Sequence, residues 1–116
     1  MYPSGRWEGF WQQEGWGRQP MTAFTLNFAG GRVTGGGRDV IGPFTYVGEY
    51  DETTGRVVMV KQYVGPHRHQ VGYVGQPDGE ACIQGTWSID EHHTGPFLLR
   101  PVVRRPTGEE PIQEIG

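Results

Sequence analysis

The chain is poor in the residues on which several classes of protein depend. Its single cysteine, Cys82, excludes an internal disulfide framework and a metal site made of several thiolates. Its two serines, Ser4 and Ser88, lie outside the Gly-x-Ser-x-Gly pattern that presents a nucleophilic serine. We therefore expect neither a disulfide-stabilised domain nor a serine hydrolase, and the sequence indicates no catalytic residue.

Long apolar runs and strong positive charge are also missing. No apolar segment is long enough to span a membrane, and the opening Met-Tyr-Pro-Ser-Gly lacks the basic and apolar regions of a secretion signal. The formal net charge is −3 at pH 7, without the basic stripe typical of nucleic-acid binding. We expect a cytoplasmic protein with no nucleic-acid or membrane partner, and no cofactor is indicated.

Glycine and β-forming residues dominate what remains. The 116 residues include 20 glycines and 9 prolines, and no stretch keeps a helical period without interruption by one of them. Short alternating segments predict an all-β fold, an eight-stranded antiparallel up-and-down meander barrel over residues 1–103, followed by a polar tail with Pro and Glu over 104–116. The predicted strands cover 6–12, 21–28, 32–39, 44–50, 56–64, 69–75, 81–89 and 96–103.

Short motifs give the chain a resemblance to the calycin-like barrels, which include the lipocalins and the avidins. Gly5-Arg6-Trp7 resembles their Gly-x-Trp start, and Arg100 resembles the cation on their last strand. Val33-Thr34-Gly35 and Ile83-Gln84-Gly85-Thr86-Trp87 follow in avidin-like order. The resemblance implies that Trp7 closes one end of the barrel and that Arg100 stacks on its ring.

The residues that bind biotin in avidins are largely replaced here. Gly9 stands where avidins carry Asn, Val60 where they carry Trp, and the segment 35–37 is all glycine where they carry Tyr. Only Trp87 stands where an avidin has a Trp that stacks on its ligand. The resemblance therefore implies a small barrel but not biotin binding.

Aromatic strand residues supply the predicted ligand contacts. Counting alternate residues from Trp7 and Trp87 places Trp11 and Trp87 inside the barrel. The contacts that we predict at the open end are Trp11, Tyr46, Tyr63, His69, Tyr73 and Trp87, with His69 as a hydrogen-bond donor. The alternative is that these side chains only fill the core.

The histidines gather in the loops of the same end. His67, His69, His92 and His93 are weak candidates for a metal site, and the alternative is that they are solvated loop residues. Lys61 interrupts an apolar run, and we expect it to face solvent; if it faced inward, it would be a candidate ligand anchor.

The sequence thus favours a non-catalytic protein that binds a small molecule or a peptide at the open end of its barrel. One alternative is a filled barrel that acts as a protein-interaction or oligomerisation module, because segment 57–60 is apolar on both faces and its outer face would suit a second copy of the chain. Another is a metal-dependent barrel protein that uses the loop histidines.

Overall fold

The computed structural model describes residues 2–65 and 69–102, apart from the side chain of Ala23. Eight strands form a closed antiparallel meander barrel in which each strand pairs with the next and the last pairs with the first, which confirms the predicted fold class. No apolar helix of membrane-spanning length occurs in the described ranges. The strands are β1 (Gly5–Gln13), β2 (Gly17–Ala29), β3 (Arg32–Asp39), β4 (Pro43–Tyr50), β5 (Val57–Tyr63), β6 (Gln70–Pro77), β7 (Ile83–Ser88) and β8 (Thr94–Pro101).

The strand ends differ from the sequence prediction where turns take a special backbone shape. Strand β7 begins at Ile83 rather than at 81, because Glu80 and Ala81 have positive φ angles of 49° and 66°. The N–H of Cys82 closes this turn by donating to the carbonyl of Gly79 at 2.8 Å. The predicted tail, 104–116, and His67 lie outside the described residues.

The glycine triplet of β3 allows neighbouring strands to come close. Strand β3 is continuous, and the register of its pairing with β2 shifts between Thr22 and Thr25, opposite Gly37. A Cβ atom on Gly35 would collide with the carbonyl oxygen of Thr25. The glycine is therefore needed for the close approach of β3 to the irregular part of β2.

The end of the barrel at which β1 begins is closed by aromatic side chains. Trp7 is fully buried and donates from its Nε1 to the carbonyl of Pro3 at 2.9 Å. The rings of Tyr2 and Phe28 pack against it, with the Trp7 and Phe28 centroids 5.6 Å apart, and the Tyr50 ring packs in turn on Tyr2 and Phe28. The Tyr2 hydroxyl donates to the carbonyl of Gly55 at 2.6 Å, which ties the segment before β1 across this end.

The predicted contact between Arg100 and Trp7 is wrong. Leu99 is buried, so the alternation along β8 directs its neighbour Arg100 to the outer surface. There its Nε donates to Oε2 of Glu8 at 2.9 Å, across the β1–β8 pair. The Arg100 side chain is 60% exposed, and the closing end therefore consists of aromatic rings without this cation.

Candidate functional site

The other end of the barrel opens into a cavity. Because the strands run up and down, the β1–β2, β3–β4, β5–β6 and β7–β8 connections all lie at this end, as the sequence predicted. A cavity of about 60 Å³, here called the mouth cavity, lies between them. It is lined by Trp11, Gln13, Ile41, Lys61, Tyr63, His69, Val71, Tyr73, Trp87 and Ile89. Below it the barrel is filled by side chains.

Most of the predicted contact residues meet at this cavity. Trp11, Tyr63, His69, Tyr73 and Trp87 all line it. Tyr46 does not: it lies deeper in the core, fully buried, and its hydroxyl contacts the sulfur of Met21 at 3.7 Å. Strand alternation brings Tyr46 inside the barrel, but its position nearer the middle of β4 places it under the cavity floor.

Two indole rings form one corner of the mouth cavity. The Trp11 and Trp87 rings meet edge to face, with centroids 5.8 Å apart. The Trp87 Nε1 donates to the carbonyl of Gln12 at 2.9 Å. The Trp11 Nε1 is buried and has no hydrogen-bond partner among the described residues. A buried donor without a partner costs about 1–3 kcal/mol, which makes this indole N–H notable in an otherwise paired core.

Lys61 faces the interior of the barrel, so the expectation of a solvent-facing lysine is wrong. It lies on the inner face of β5 together with Val57 and Met59, and it is only 1% exposed. Its Nζ donates to Oδ2 of Asp39 at 2.5 Å, and the side chains of both residues are inaccessible to solvent. A fully buried ion pair thus lies beside the mouth cavity.

Asp39 is held by four donors at the end of β3. Its Oδ1 accepts the backbone N–H groups of Ile41 at 2.9 Å and Gly42 at 3.3 Å, which fixes the β3–β4 turn. Its Oδ2 accepts from Lys61 and from the Tyr63 hydroxyl, each at 2.5 Å. Burial would raise the pKa of the Asp39 carboxyl, but the charge of Lys61 and these hydrogen bonds outweigh burial, so the pKa is lowered.

Aromatic and sulfur groups complete the surroundings of the Lys61 ammonium. Its Nζ lies 3.4 Å from both the Met21 sulfur and the Tyr73 hydroxyl oxygen, and 4.4 Å from the centre of the Phe44 ring. Burial lowers the pKa of Lys61, and the attraction of Asp39 compensates only in part. Burial also raises the pKa of the Tyr63 and Tyr73 hydroxyls, so both lose their protons only at a higher pH than a free tyrosine does.

The loop histidines do not converge on a metal site in the described part of the chain. His69 is exposed, with its ring 4.8 Å from that of Tyr63. His93 instead lies beside Asp90, with Nδ1 to Oδ1 at 2.9 Å, and the backbone N–H of His92 donates to the same carboxylate. No group of three His, Cys, Asp or Glu side chains in residues 2–65 and 69–102 could hold a metal ion.

The ion pair is the feature that sequence reasoning missed. The predicted strand 32–39 ends at Asp39, but the pairing of Asp39 with Lys61 was not predicted. The signal was present in the sequence, because alternate residues of a strand face the same side of the sheet. The alternate residues of β5 are Val57, Met59, Lys61 and Tyr63. Lys61 is also the only lysine in the chain, since the other nine of its ten basic residues are arginine.

In comparisons with known proteins, the chain matches no family model, no curated protein and no solved structure. Its function is therefore inferred from the geometry of the closed eight-stranded antiparallel barrel and its open end.

Proposed function

We propose that the protein is a non-catalytic binding protein that takes up a small molecule, or the exposed end of a peptide, at the open end of its barrel. The observation that carries this proposal is the mouth cavity, with its aromatic walls and the unpaired indole N–H of Trp11. Concave, mostly apolar sites with a few polar groups are the usual form of a ligand site.

The size and charge of the cavity narrow the class of ligand. A volume of about 60 Å³ suits a small flat group, or the tip of a larger ligand whose remainder stays outside. Trp11 would donate to a carbonyl or similar acceptor, which would remove the cost of its unpaired N–H. Because Asp39 neutralises Lys61, a neutral group fits better than an anion.

Benzamide, a flat ring with one carbonyl acceptor, is a suitable probe. Titration into isotope-labelled protein, followed by the indole N–H signals of the four tryptophans, distinguishes the two ends of the barrel. We expect the signals of Trp11 and Trp87 to shift and that of Trp7, buried at the closed end, to stay. Toluene, which lacks the acceptor, is the matched control and should shift the Trp11 N–H less.

Absence of any shift with benzamide, or an equal shift at Trp7, would contradict binding in the mouth cavity. Native mass spectrometry of freshly purified protein, repeated after denaturation, complements the titration. A mass excess that disappears on denaturation would reveal a ligand already bound.

A second candidate function is self-association through the outer face of β4–β6, and one observation favours it. Val47, Val58, Val60 and Val74 are between 39% and 52% exposed. They lie side by side, since Val47 pairs with Val60 and Val58 pairs with Val74. Sedimentation of the wild-type chain against Val58→Lys tests this, and a wild-type monomer at high concentration would exclude it.

A calycin-like relationship and a cytoplasmic location remain parts of the proposal. The buried Trp7 after Gly5 and the meander order support the relationship, while the outward Arg100 does not. The single cysteine is compatible with a reducing compartment.

A further inference from the structure

The only lysine of the chain lies inside the barrel and lines the mouth cavity. Elsewhere the protein uses arginine for positive charge, and arginine cannot lose its proton in proteins. Lysine differs in that its amine becomes a nucleophile once it is deprotonated, and it forms Schiff bases with carbonyl compounds. Lys61 thus supplies the one side-chain amine of the molecule, at the wall of its candidate binding site.

Groups that exchange protons surround this amine. Oδ2 of Asp39 is 2.5 Å from Nζ, and the hydroxyl oxygen of Tyr73 is 3.4 Å away. The Tyr63 hydroxyl donates to the same Asp39 oxygen. Asp39 is therefore placed to exchange a proton with Lys61. Burial lowers the pKa of Lys61 although Asp39 opposes this effect, so the ammonium loses its proton more readily than that of a free lysine.

We propose that Lys61 is the covalent attachment point for an aldehyde-bearing ligand in the mouth cavity. This inference rests on the proposed function, because it uses the same cavity and assigns the ligand a carbonyl group. Only the aldehyde end has to enter, which agrees with a cavity of about 60 Å³.

The attachment balances without an oxidant or a reductant. The ammonium of Lys61 passes one proton to Asp39, and the neutral amine attacks the aldehyde carbon, so that a C–N bond forms. The oxygen of the resulting carbinolamine takes up the proton held by Asp39 and a proton from the nitrogen and leaves as water. With one hydrogen kept on nitrogen, the product is a protonated Schiff base whose positive charge faces the Asp39 carboxylate, as the ammonium does now.

The scarcity of amines makes the test direct. Propanal with cyanoborohydride converts a Schiff base into a stable propylamine, and the amines of the purified chain are Lys61, its single lysine, and the terminal α-amine. The ratio of propylation at Lys61 to propylation at the α-amine is measured by peptide mapping, in folded protein and in protein unfolded by urea. We expect the ratio to rise severalfold on folding, because the lowered pKa leaves a larger share of the Lys61 amine unprotonated than in the unfolded chain. A ratio that falls on folding would show that burial protects Lys61 as a structural ion pair and would overturn the proposal.

Competition with benzamide tests whether the reaction takes place in the mouth cavity. Benzamide should slow the propylation of Lys61 and leave that of the α-amine unchanged. Propylation of Lys61 that benzamide does not slow, although benzamide shifts the Trp11 signal, would overturn attachment in the mouth cavity. The double variant Lys61→Met with Asp39→Asn, which leaves no unpaired charge, should lose the internal adduct and keep only that of the α-amine.

The two proposals fail in different ways. A protected Lys61 together with a benzamide shift at Trp11 and Trp87 would reject covalent attachment and leave the binding function in place. A protected Lys61 without any benzamide shift would reject both.

Discussion

The ammonium of Lys61 and the carboxylate of Asp39 lie 2.5 Å apart inside the barrel, where the side chains of both are inaccessible to water. The pair joins the middle of the inner face of β5 to the last residue of β3 and stands at the wall of the mouth cavity. Its burial makes the charge of each partner dependent on the other.

Removing only one member of this pair should destabilise the protein strongly. Lys61→Met leaves the Asp39 charge buried without its counter-ion, which costs about 3–5 kcal/mol in other proteins. The double variant Lys61→Met with Asp39→Asn should recover most of that loss, because no charge stays unpaired. Urea denaturation of the wild type, the two single variants and the double variant gives the coupling energy. Additive single effects would contradict the coupling of the two side chains.

Stability should fall in acid through the titration of Asp39. The pKa of this carboxyl is lower in the folded protein than in the unfolded chain, so the unfolded chain binds more protons between the two values. The stabilisation is present above about pH 4, the unfolded value, and is lost as the pH falls toward the folded pKa. Stability measured from acidic to neutral pH should therefore decline below about pH 4.

The contribution of Asp39 to this decline is separable from that of a surface carboxyl. In Asp39→Asn the acid slope should become flatter, even though the variant is less stable at neutral pH. The matched control is Asp90→Asn, since the hydrogen bond from His93 lowers the pKa of an exposed Asp90 carboxyl. If Asp90→Asn flattened the acid slope more than Asp39→Asn, the prediction that Asp39 accounts for more of the loss of stability in acid would be wrong.

Stability should also fall in alkali, because of the buried tyrosines. Burial raises the pKa of Tyr46, Tyr63 and Tyr73 above the unfolded value of about 10. The unfolded chain therefore loses protons first above pH 10, and each such tyrosine lowers stability by about 1.4 kcal/mol per pH unit there. Lys61, whose pKa is lowered, acts in the opposite sense up to its unfolded value of about 10.4.

Two measurements test the predicted loss of stability above pH 10: denaturation at alkaline pH and the absorbance of tyrosinate. Tyr63→Phe should reduce the slope above pH 10, since it removes one of the protonated hydroxyls. Ionisation of all five tyrosines near pH 10 while the protein is still folded would contradict the prediction.

Truncation of the two residues that were predicted to close the barrel should lower the free energy of unfolding by very different amounts. Trp7→Ala removes a fully buried ring at the closed end and should cost about 3–5 kcal/mol. Arg100→Ala removes an exposed ion pair with Glu8 and should cost less than about 1 kcal/mol. Thermal and urea denaturation measure both, and a large loss with Arg100→Ala would contradict its outward position.

Two glycines of the sheet should respond differently to alanine. A Cβ at Gly35 would meet the backbone of Thr25 on the neighbouring strand, so Gly35→Ala should destabilise by about 1–3 kcal/mol. A Cβ at Gly72 would only touch Ser88 at an ordinary 3.6 Å, so Gly72→Ala serves as the control and should change stability little. Equal losses in urea denaturation would contradict the close approach at Gly35.

The sequence by itself determined the strand order, the antiparallel meander and the end at which the loops gather. These follow from local information: alternating side chains, turn glycines and short connections leave few arrangements other than an up-and-down barrel. It also placed Trp11 and Trp87 inside the barrel by strand parity and His69 at the open end by its position in a loop, because parity and loop position are local properties.

Tertiary structure decided the facts that depend on distant partners. Lys61 faces inward because the carboxylate of Asp39, 22 residues away in the chain, and the aromatic rings around it compensate a charge that burial alone would exclude. Arg100 faces outward because Leu99 fills the interior and Glu8 on β1 offers it a partner at the surface. The facing of a charged side chain is set by the partners that closure of the barrel brings to it, and these are absent from its local sequence.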